Sequence, residues 1–359
     1  MTGACERCLS RTWLLRRLAG HLDVARPRLY SLLELEDEDL VAAVAGRERA
    51  RIDEERRSID LDGMRREATK HSLALICRCD ALYPAVLHDL AAPPAVLHIA
   101  GELDRLAGFT GGGSVAVVGS RRASEYGNEV GRSLGRSLAG AGLTVISGMA
   151  RGIDTAAHRG SLESTGATIS VLPGAACEPY PPGNRRLHRS IVARGVVLSE
   201  LGPGAPVRRW CFHARNRLIA ALSGMTVVVE AGEQSGSLVT AAVARALARP
   251  VGAVPGRVTS PAAAGTNALL ASGAAVIRDA QDVLDQLYGI GARSVSAAMR
   301  PALSSEQEAL LAALADAPST EAALAGGSTD ADRALVMLAE LELAGWVRRG
   351  AGGRFTVIP

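Results

Sequence analysis

The chain has 359 residues, enough for two or three domains, and with 48% hydrophobic and 21% charged residues it has the composition of an ordinary globular protein. No apolar run approaches the roughly 18 residues of a membrane span, and the first residues lack the apolar region of a signal peptide, so we expect a cytoplasmic protein without a membrane span. The net charge of +3 is too small to establish a nucleic-acid partner, but Lys70 is the only lysine, so an anion site here must use arginine and backbone N–H groups.

The first 75 residues carry the spacing of helices. Apolar residues recur three and four positions apart with charged residues between them, at Trp13, Leu14, Leu15, Leu18, Leu22, Leu29, Leu32, Leu33, Leu40, Val41 and Val44. We therefore expect residues 1–75 to form a small helical domain, of the SAM or helix-hairpin-helix kind, that packs on the next part of the chain or is tethered to it.

Cys5 and Cys8 have the spacing of a metal-ligand pair. No second pair follows at the distance typical of zinc ribbons, so we assign no metal site, although the sequence leaves open whether this pair binds one. The chain has six cysteines, and in a cytoplasmic protein we do not expect them to form structural disulfides.

Residues 76–288 are predicted to form the core of the protein, and strand and helix alternate over residues 114–288. After a bridge with a short strand-like run at 96–99, β-branched apolar runs occur at 115–118, 143–147, 167–172, 196–199, 225–230, 250–254 and 275–277, and helical patterns at 125–140, 154–164, 184–194 and 236–248. Such runs are typical of strands that are buried on both faces. They predict an α/β fold with a mostly parallel sheet and helices on both sides, in which ligands bind at the carboxyl ends of the strands.

Two turns at these strand ends have the composition of phosphate sites. The first consists of Gly119, Ser120 and Arg121. Small residues let a ligand approach the backbone, free N–H groups at a helix start attract anions, and arginine offers a planar fork to phosphate. The candidate residues of the second turn are Ser147, Gly148, Arg151 and Gly152.

Residues 208–224 combine arginines with one phenylalanine. The candidate contacts in this segment are Arg209, Phe212, Arg215, Asn216 and Arg217. An aromatic face stacks on an unpaired base with about 1–3 kcal/mol. The alternative is a helix whose leucines face the core, with Phe212 as a hydrophobic staple and the arginines in solvent, and the residues alone leave both interpretations open.

Further strand ends repeat the small, polar turn. Glu230, which could cap backbone amides or orient an arginine, is followed at a helix start by Ser235, Gly236 and Ser237, and residues 255–257 and 265–267 form similar turns. Five such turns predict an extended anion groove along one edge of the sheet. A groove of that kind suits a long polyanion better than a mononucleotide.

Several catalytic patterns are missing from the sequence. It has neither the loop of P-loop ATPases nor a dinucleotide-binding G-x-G-x-x-G after a strand, and neither H-E-x-x-H nor G-x-S-x-G. Asp154 and His158 share a predicted helix face, where a structural hydrogen bond or a cap at the helix start is favoured over a catalytic dyad. We expect a protein that is not an enzyme and that uses no cofactor.

The C-terminal part has a separate organisation. Residues 289–302 are small and polar, which indicates a linker, and residues 303–359 have the pattern of a winged helix, with helices expected at about 305–315 and 330–344 before a basic hairpin. The second of these helices, nominally the recognition helix, carries Asp330, Asp332, Glu340 and Glu342. Because carboxylates repel DNA, partner binding or a structural role is at least as well supported as DNA binding.

Six segments within residues 112–278 together resemble the DNA-processing protein A family, also called Smf. They are VAVVGSRRASEYG, VISGMARGIDTAAHRGSL, YPPGN, LSELGPGAPVRRWCFHARNRLIAALS, VVVEAGEQSGSLVTA and AVPGRVTSPAAAGTNALLASGA. The resemblance implies an extended Rossmann-like core that binds single-stranded DNA, between the helical and winged-helix-like domains. It also implies a non-catalytic homodimer that protects incoming DNA in natural transformation and loads the RecA recombinase on it.

The resemblance assigns roles to single residues. The family's DNA pocket includes the arginine of the first turn, here Arg121, and the phenylalanine that precedes the R-N-R run, here Phe212. It also includes a basic residue three positions before that phenylalanine, here Arg209, and Arg215 and Arg217 flank the same groove.

The chain departs from the family pattern at a few positions. His213 stands where proline is common, Arg209 where lysine is frequent and Ala221 where glycine is usual, and residues 173–179 are looser than the typical Gly-Cys-Gly pattern. Arginine keeps the charge of lysine and adds a fork, so phosphate binding is expected to persist. These changes concern the shape of the groove.

The alternative function is that of a nucleoside-monophosphate hydrolase from a related Rossmann-like family. Those enzymes carry a P-G-G-x-G-T-x-x-E run. In this chain the segment 173–176 matches only the first two positions of that run. Glu230 is the nearest carboxylate and lacks the glycines. A transcription regulator built on the winged helix is a third possibility, which its acidic helix weakens.

Overall fold

The computed structural model describes residues 4–108, 111–164, 166–294, 303–316, 319–320, 331–343, 346–350 and 353–357. The chain divides into two units, Met1–Val295 and Ser296–Pro359. The division falls within the predicted linker 289–302, of which residues 295–302 lie outside the described part. None of the helices in the described part combines the length and the apolar character needed to cross a bilayer.

Helices fill the N-terminal segment, as predicted. In the described part they are α1 (Glu6–Arg17), α2 (Ala19–Val24), α3 (Leu29–Glu34), α4 (Asp37–Val44), α5 (Arg49–Arg57) and α6 (Leu61–Lys70). Their apolar side chains form a buried cluster that includes Leu14, Leu22 and Leu40 and that also encloses Trp210 of a later helix. The expected helical domain is thus packed on the following part of the chain and shares a core with it.

One strand was missed at the end of this segment. The predicted helical domain 1–75 includes residues 74 and 75, but Ala74–Cys77 form strand β1, which pairs antiparallel with the next strand. Ser72 has a left-handed φ of 54°, which ends the helical path, and the following apolar run then lies buried in the sheet. The other domain boundaries stay predictions.

A single sheet organises the described part of the first unit. Its strands are β1, β2 (Val96–Gly101), β3 (Gly111–Val118), β4 (Thr144–Ser147), β5 (Thr168–Val171), β6 (Val196–Ser199), β7 (Ser223–Val228), β8 (Val251–Ala253) and β9 (Ala275–Val276). Their order is β1-β2-β6-β5-β4-β3-β7-β8-β9. β2 pairs antiparallel with β1 and β6, and the remaining pairs are parallel. The predicted mostly parallel α/β fold is confirmed.

Helices cover both faces of this sheet. They are α7 (Leu103–Gly108), α8 (Glu125–Gly140), α9 (Ile153–Glu163), α10 (Arg185–Arg194), α11 (Arg209–Leu222), α12 (Gly236–Ala246), α13 (Ala264–Ala271) and α14 (Ala280–Tyr288). Alternate residues of β3 serve opposite faces, as the period of two in a strand requires. Val115 and Val117 join the cluster that contains Leu134 of α8, whereas Val118 joins the cluster that contains Leu218 of α11.

The strand order places a crevice beside β3. The chain runs from β3 outward through β4, β5 and β6, and then returns to the other side of β3 with β7. In open parallel sheets, ligands bind outside the carboxyl ends of the strands where the order reverses. The ends of β3 and β7 are therefore the expected position of a site.

The second unit is built from short elements. They are α15 (Ser305–Asp316), β10 (Ser319–Thr320), α16 (Ala331–Leu343), β11 (Val347–Arg349) and β12 (Arg354–Val357), with the strand order β10-β12-β11. Leu314, Leu338, Leu341 and Phe355 form its small buried core. Helices and the hairpin occupy the predicted positions, whereas Asp330 lies outside the described residues.

Candidate nucleic-acid interface

The first turn follows β3 and is fixed by Glu230. The backbone N–H of Ser120 donates to the carbonyl oxygen of Glu230 at 2.7 Å, and the N–H of Ser124 donates to its carboxylate at 2.8 Å. Glu230 is buried beneath the turn. The expectation that Glu230 caps backbone amides is confirmed, and it leaves Arg121 and Arg122 exposed above the strand end.

The second turn follows β4 and supports the first from below. The Ser147 hydroxyl is buried and donates to the Val117 carbonyl oxygen at 2.7 Å. Gly152 has a φ of 75° and lies against the Ser120 carbonyl oxygen, so that a side chain at this position would collide with the first turn. Asp154 accepts from the N–H groups of Gly148 and Ala150 at 3.2 and 3.3 Å. Burial raises the pKa of this carboxyl.

Helix α11 begins at the same edge of the sheet and is held by the N-terminal helices. The backbone N–H of Trp210 donates to Asp23 Oδ1 at 3.0 Å, and the Tyr30 hydroxyl donates to the His213 carbonyl oxygen at 3.1 Å. The side chain of Trp210 is fully buried. These contacts direct the exposed Arg209 and the half-buried Phe212 toward the turn that follows β3.

An arginine and two aromatic rings meet at this point. The guanidinium carbon of Arg121 lies 4.6 Å from the centre of the Phe212 ring. On another side of Phe212, the ring of Tyr180 approaches edge-on, with 5.4 Å between the centroids. Phe212 thus contacts polar, partly exposed groups, and the alternative in which it serves as a hydrophobic staple is not what the structure shows.

A cleft of about 910 Å³ opens between these elements. Its lining residues come from the turn after β3, from α11, from the turn after β7 and from the N-terminal segment. The basic ones are Arg26, Arg121, Arg122, Arg209 and Arg215. Among the lining residues, all of which belong to the described part, Asp154 supplies the single carboxylate, and it is occupied by two backbone amides. The cleft is therefore lined by arginines, the side chains that an anion site would need.

Arg215 forms the buried floor of the cleft. It is 6% exposed, its Nη1 donates to the Val171 carbonyl oxygen at 2.8 Å, and its Nε donates to Asn216 Oδ1 at 3.2 Å. Burial lowers its pKa to about 10, against the opposing effect of Asp154, so the guanidinium is still protonated at neutral pH. A buried cation in a partly closed cleft attracts an anion more strongly than a solvated one does.

The cleft brings together most of the predicted site residues. Those that line it are Gly119, Ser120, Arg121, Arg209, Phe212, Arg215, Asn216, Ser235, Gly236 and Ser237. Four second-turn residues do not line it, namely Ser147, Gly148, Arg151 and Gly152. Ser147 donates to β3, Gly148 lies against Arg215 and Gly152 lies against the first turn. Arg151 is exposed outside the cleft.

The assignment of Arg217 to the groove is corrected by the structure. Its guanidinium is buried and donates to both carboxylate oxygens of Glu200 at 2.6 and 2.7 Å, and to the Ala92 carbonyl oxygen at 2.7 Å. Arg217 is 3% exposed and does not line the cleft, so its guanidinium is not accessible to a phosphate there. Arg217 therefore joins α11 to the bridge region instead of facing the cleft.

Some lining residues were missed in the sequence. They include Arg26, Arg122, His213, Gln234 and Thr240. Arg122 could have been predicted, because it directly follows Arg121 of the first turn. Arg26 carries no comparable signal, because it comes from the helical N-terminal segment and reaches the cleft only through tertiary packing.

His158 has the structural role that was favoured over a catalytic dyad. Its Nδ1 lies 2.7 Å from the Thr168 hydroxyl, which itself donates to the Val145 carbonyl oxygen. His158 is fully buried, and burial lowers its pKa to about 3. The ring is thus neutral and held between α9 and β5.

Comparison with known proteins agrees with this geometry. The family model described as DNA recombination-mediator protein A matches residues 74–288, and the DprA winged helix domain matches residues 292–353. The chain belongs to the DNA recombination-mediator protein A family. The family of the sequence analysis is thereby confirmed, as is the winged-helix nature of the C-terminal domain.

Individual relatives share parts of the chain. A putative DNA processing protein DprA from Mycobacterium tuberculosis is 47% identical over 178 residues, which are 50% of this chain and 46% of that protein. The chain thus matches about half the length of this relative. The crystal structure of DprA from Streptococcus pneumoniae superposes with a TM-score of 0.63 at 33% identity and covers 78% of this chain and 95% of that one.

A second solved structure is that of DNA processing protein A from Helicobacter pylori, which is described by its single-stranded DNA binding mode. It superposes with a TM-score of 0.54 at 30% identity and covers 60% of this chain and 95% of that one.

Proposed function

We propose that this protein binds single-stranded DNA in the arginine-lined cleft and does not act on it chemically. The observation that carries the proposal is the placement of Arg121 over the face of Phe212 at the cleft, with further arginines around it. Arginine forks suit phosphates and an aromatic ring suits an unpaired base, so the pair provides both contacts that a single strand offers. The relative from Helicobacter pylori, described as binding single-stranded DNA, supports the same proposal.

The cleft suits a strand better than it suits duplex DNA. In a duplex the bases are stacked on each other, and their faces are not available to an aromatic side chain. Phe212 lines the cleft, and of the two forms of DNA only a single strand has an unpaired base whose face it could contact. The exposed Arg122 and Arg209 give the backbone of the same strand further positions along the cleft.

The alternative of a nucleoside-monophosphate hydrolase is not favoured. A hydrolase of that kind needs a carboxylate that is free to act beside the sugar. Glu230 is buried under the first turn and accepts the N–H of Ser124, and Asp154 accepts two further backbone N–H groups. Both carboxylates therefore have structural partners, and neither is positioned to serve as a base.

The proposal extends to the biological role that the family suggests. We infer that the protein protects incoming single strands in the cytoplasm, acts as a homodimer and loads the RecA recombinase on the strand. Membership of the DNA recombination-mediator protein A family is what supports this role. Sedimentation of the purified chain and a strand-exchange assay with RecA on strands covered by a single-strand-binding protein test the dimer and the loading separately.

The binding proposal is tested with labelled oligonucleotides of increasing length, as single strands and as duplexes. Single strands should bind more tightly than duplexes, with an affinity that falls steeply as salt is raised. Equal affinity for both forms would overturn the proposal. Nucleoside monophosphates incubated with the protein should release no free base, and release at a rate proportional to protein concentration would favour the hydrolase.

A further inference from the structure

Four cysteines that are far apart in the sequence converge at one point of the fold. Cys5 and Cys8 lie at the start of α1, whereas Cys77 ends β1 and Cys79 follows it. Their four Sγ atoms all lie within 4.8 Å of one another. The pair at the start of the chain, which the sequence analysis left without a partner pair, therefore has one in space.

We propose that these four cysteines bind one structural zinc ion. A tetrahedral zinc centre with Zn–S bonds of about 2.3 Å places its sulfur atoms about 3.8 Å apart. The Sγ atoms of Cys8 and Cys79 are 3.9 Å apart, and the other Sγ–Sγ distances do not exceed 4.8 Å. Shifts of up to about 1 Å would bring all four sulfurs to the tetrahedral spacing. Four thiolates without a carboxylate or histidine form the closed ligand set of structural zinc sites.

The backbone presents these sulfurs as metal sites usually do. Cys5 precedes the first turn of α1 and Cys8 lies within it, so both side chains project to the same side. The Cys5 N–H is directed at the Sγ of Cys77 with a separation of 3.5 Å, which is the kind of hydrogen bond that stabilises a metal-bound thiolate. Cys8 and Cys77 are buried and Cys79 is exposed, so the cluster has one open side for the ion.

Disulfides fit this arrangement less well. A disulfide joins two sulfurs at about 2.05 Å and would divide the four cysteines into separate pairs. Here each of the four sulfurs lies within 4.8 Å of the other three. Binding of Zn²⁺ replaces the four thiol protons, needs no oxidant and leaves a centre of net charge −2.

The position of the site indicates what the ion would do. Cys5 and Cys8 belong to the helical N-terminal segment, and Cys77 and Cys79 belong to the edge of the sheet, where Cys77 pairs with Val96. One ion would thus join α1 to the sheet across a long stretch of chain. This role is independent of DNA binding, since none of the four cysteines lines the cleft.

The test uses the full chain, purified without an affinity tag under reducing conditions, and measures metal by mass spectrometry. We expect about one zinc ion per chain, and a chelator should lower the melting temperature. Cys79→Ser is the informative variant, because Cys79 is exposed and its replacement leaves the core intact. It should lose zinc to a competing chelator at a concentration that leaves the wild type loaded. Cys177→Ser, a half-buried cysteine outside the cluster, is the matched control and should keep its zinc.

Reconstitution with Co²⁺ gives a reading that does not depend on the stability of a variant. The wild-type chain and Cys177→Ser should both show thiolate-to-cobalt charge-transfer absorption, and Cys79→Ser should show a weaker and altered spectrum. The proposal is overturned by a wild-type chain that takes up neither metal, by iron in place of zinc, by a disulfide within the cluster in the reduced preparation, or by Cys79→Ser that holds zinc as tightly as the wild type.

Discussion

The guanidinium of Arg121 lies 4.6 Å above the ring of Phe212, and the two residues come from different sides of the reversal in strand order. Arg121 follows β3, and Phe212 belongs to α11, which leads into β7. The contact therefore exists only when both halves of the sheet are assembled. It makes the two side chains the most direct probes of the cleft.

Replacing Arg121 by alanine should weaken the binding of single-stranded DNA by about 10- to 100-fold, the loss expected for a charged hydrogen bond of about 1.5–3 kcal/mol. The slope of log affinity against log salt should also fall by about 0.7 for each lost phosphate contact. Fluorescence anisotropy at several salt concentrations measures both. Arg354→Ala, an exposed arginine of the C-terminal unit, is the control and should change little. Equal losses for the two variants would rule out the assignment of Arg121 to the cleft.

Phe212→Ala should also cost affinity, by about 1–3 kcal/mol, because it removes a stacking surface. Its salt slope should stay close to that of the wild type, since no charge is lost. Phe212→Tyr keeps the ring and should bind nearly as well as the wild type. If the slope for Phe212→Ala falls as far as it does for Arg209→Ala, the ring does not act by stacking.

Gly148→Ala should disturb the floor of the cleft without adding or removing charge. A Cβ at this position would overlap the guanidinium of Arg215 and displace it from the Val171 carbonyl oxygen. We expect a stability loss of about 1–3 kcal/mol together with weaker DNA binding. Gly20→Ala, whose Cβ would meet nothing within 4 Å, is the matched control and should be as stable as the wild type or more so. Thermal unfolding and anisotropy on the same samples separate the two effects.

Arg217→Ala should destabilise the protein by about 3–5 kcal/mol, because it leaves the buried Glu200 carboxylate without its partner. DNA binding by the fraction that remains folded should keep the wild-type salt slope, since Arg217 does not line the cleft. The double variant Arg217→Met with Glu200→Leu should recover much of the stability. A reduced salt slope in the folded double variant would return Arg217 to the DNA groove.

Stability should decline as the pH falls below the usual histidine range. Burial lowers the pKa of His98 to about 4 and that of His158 to about 3, whereas both rise to about 6.5 when the chain unfolds. The unfolded chain thus binds more protons between pH 6.5 and 4, and each histidine removes about 1.4 kcal/mol of stability per pH unit in that window. Urea titrations at pH 7, 6 and 5 measure how the free energy of unfolding changes with pH. His98→Leu should reduce this dependence by about 1.4 kcal/mol per pH unit. A stability independent of pH over this range would contradict the prediction.

The sequence predicted the strands of the core closely, and the reason is local. The run Val196–Ser199 is predicted and observed with the same ends. A short, continuously apolar stretch of β-branched residues is stable mainly as a strand that is buried on both faces. Arg215 and Arg217 show what a linear pattern hides. Residues that are two positions apart in a helix are separated by about 200° around its axis, so Arg215 and Arg217 face opposite sides of α11. Phe212 and Asn216 lie on the same side as Arg215. A helical projection would have separated Arg217 from the groove.

Other parts of the site depend on the assembled fold and were out of reach. Arg26 enters the cleft because the leucines of the N-terminal helices pack on α11, and no spacing in the sequence indicates that contact. The pairing of Cys5 and Cys8 with Cys77 and Cys79 is of the same kind. Both arise from the packing of the N-terminal helices on other parts of the first unit, which a window of neighbouring residues does not contain.

The burial of Trp210 among the N-terminal leucines has a practical meaning. The matched family segment, residues 74–288, contains Trp210 but none of the side chains from α1 to α4 that cover it. A fragment cut at those limits would expose the indole and its apolar neighbours to water and would lose Asp23, the acceptor for the first turn of α11. In a variant that lacks Trp13 and Trp346, the fluorescence of this indole would therefore report whether the N-terminal helices are packed on α11. The region that sequence comparison delimits as a family is, for this molecule, smaller than the region that folds as one body.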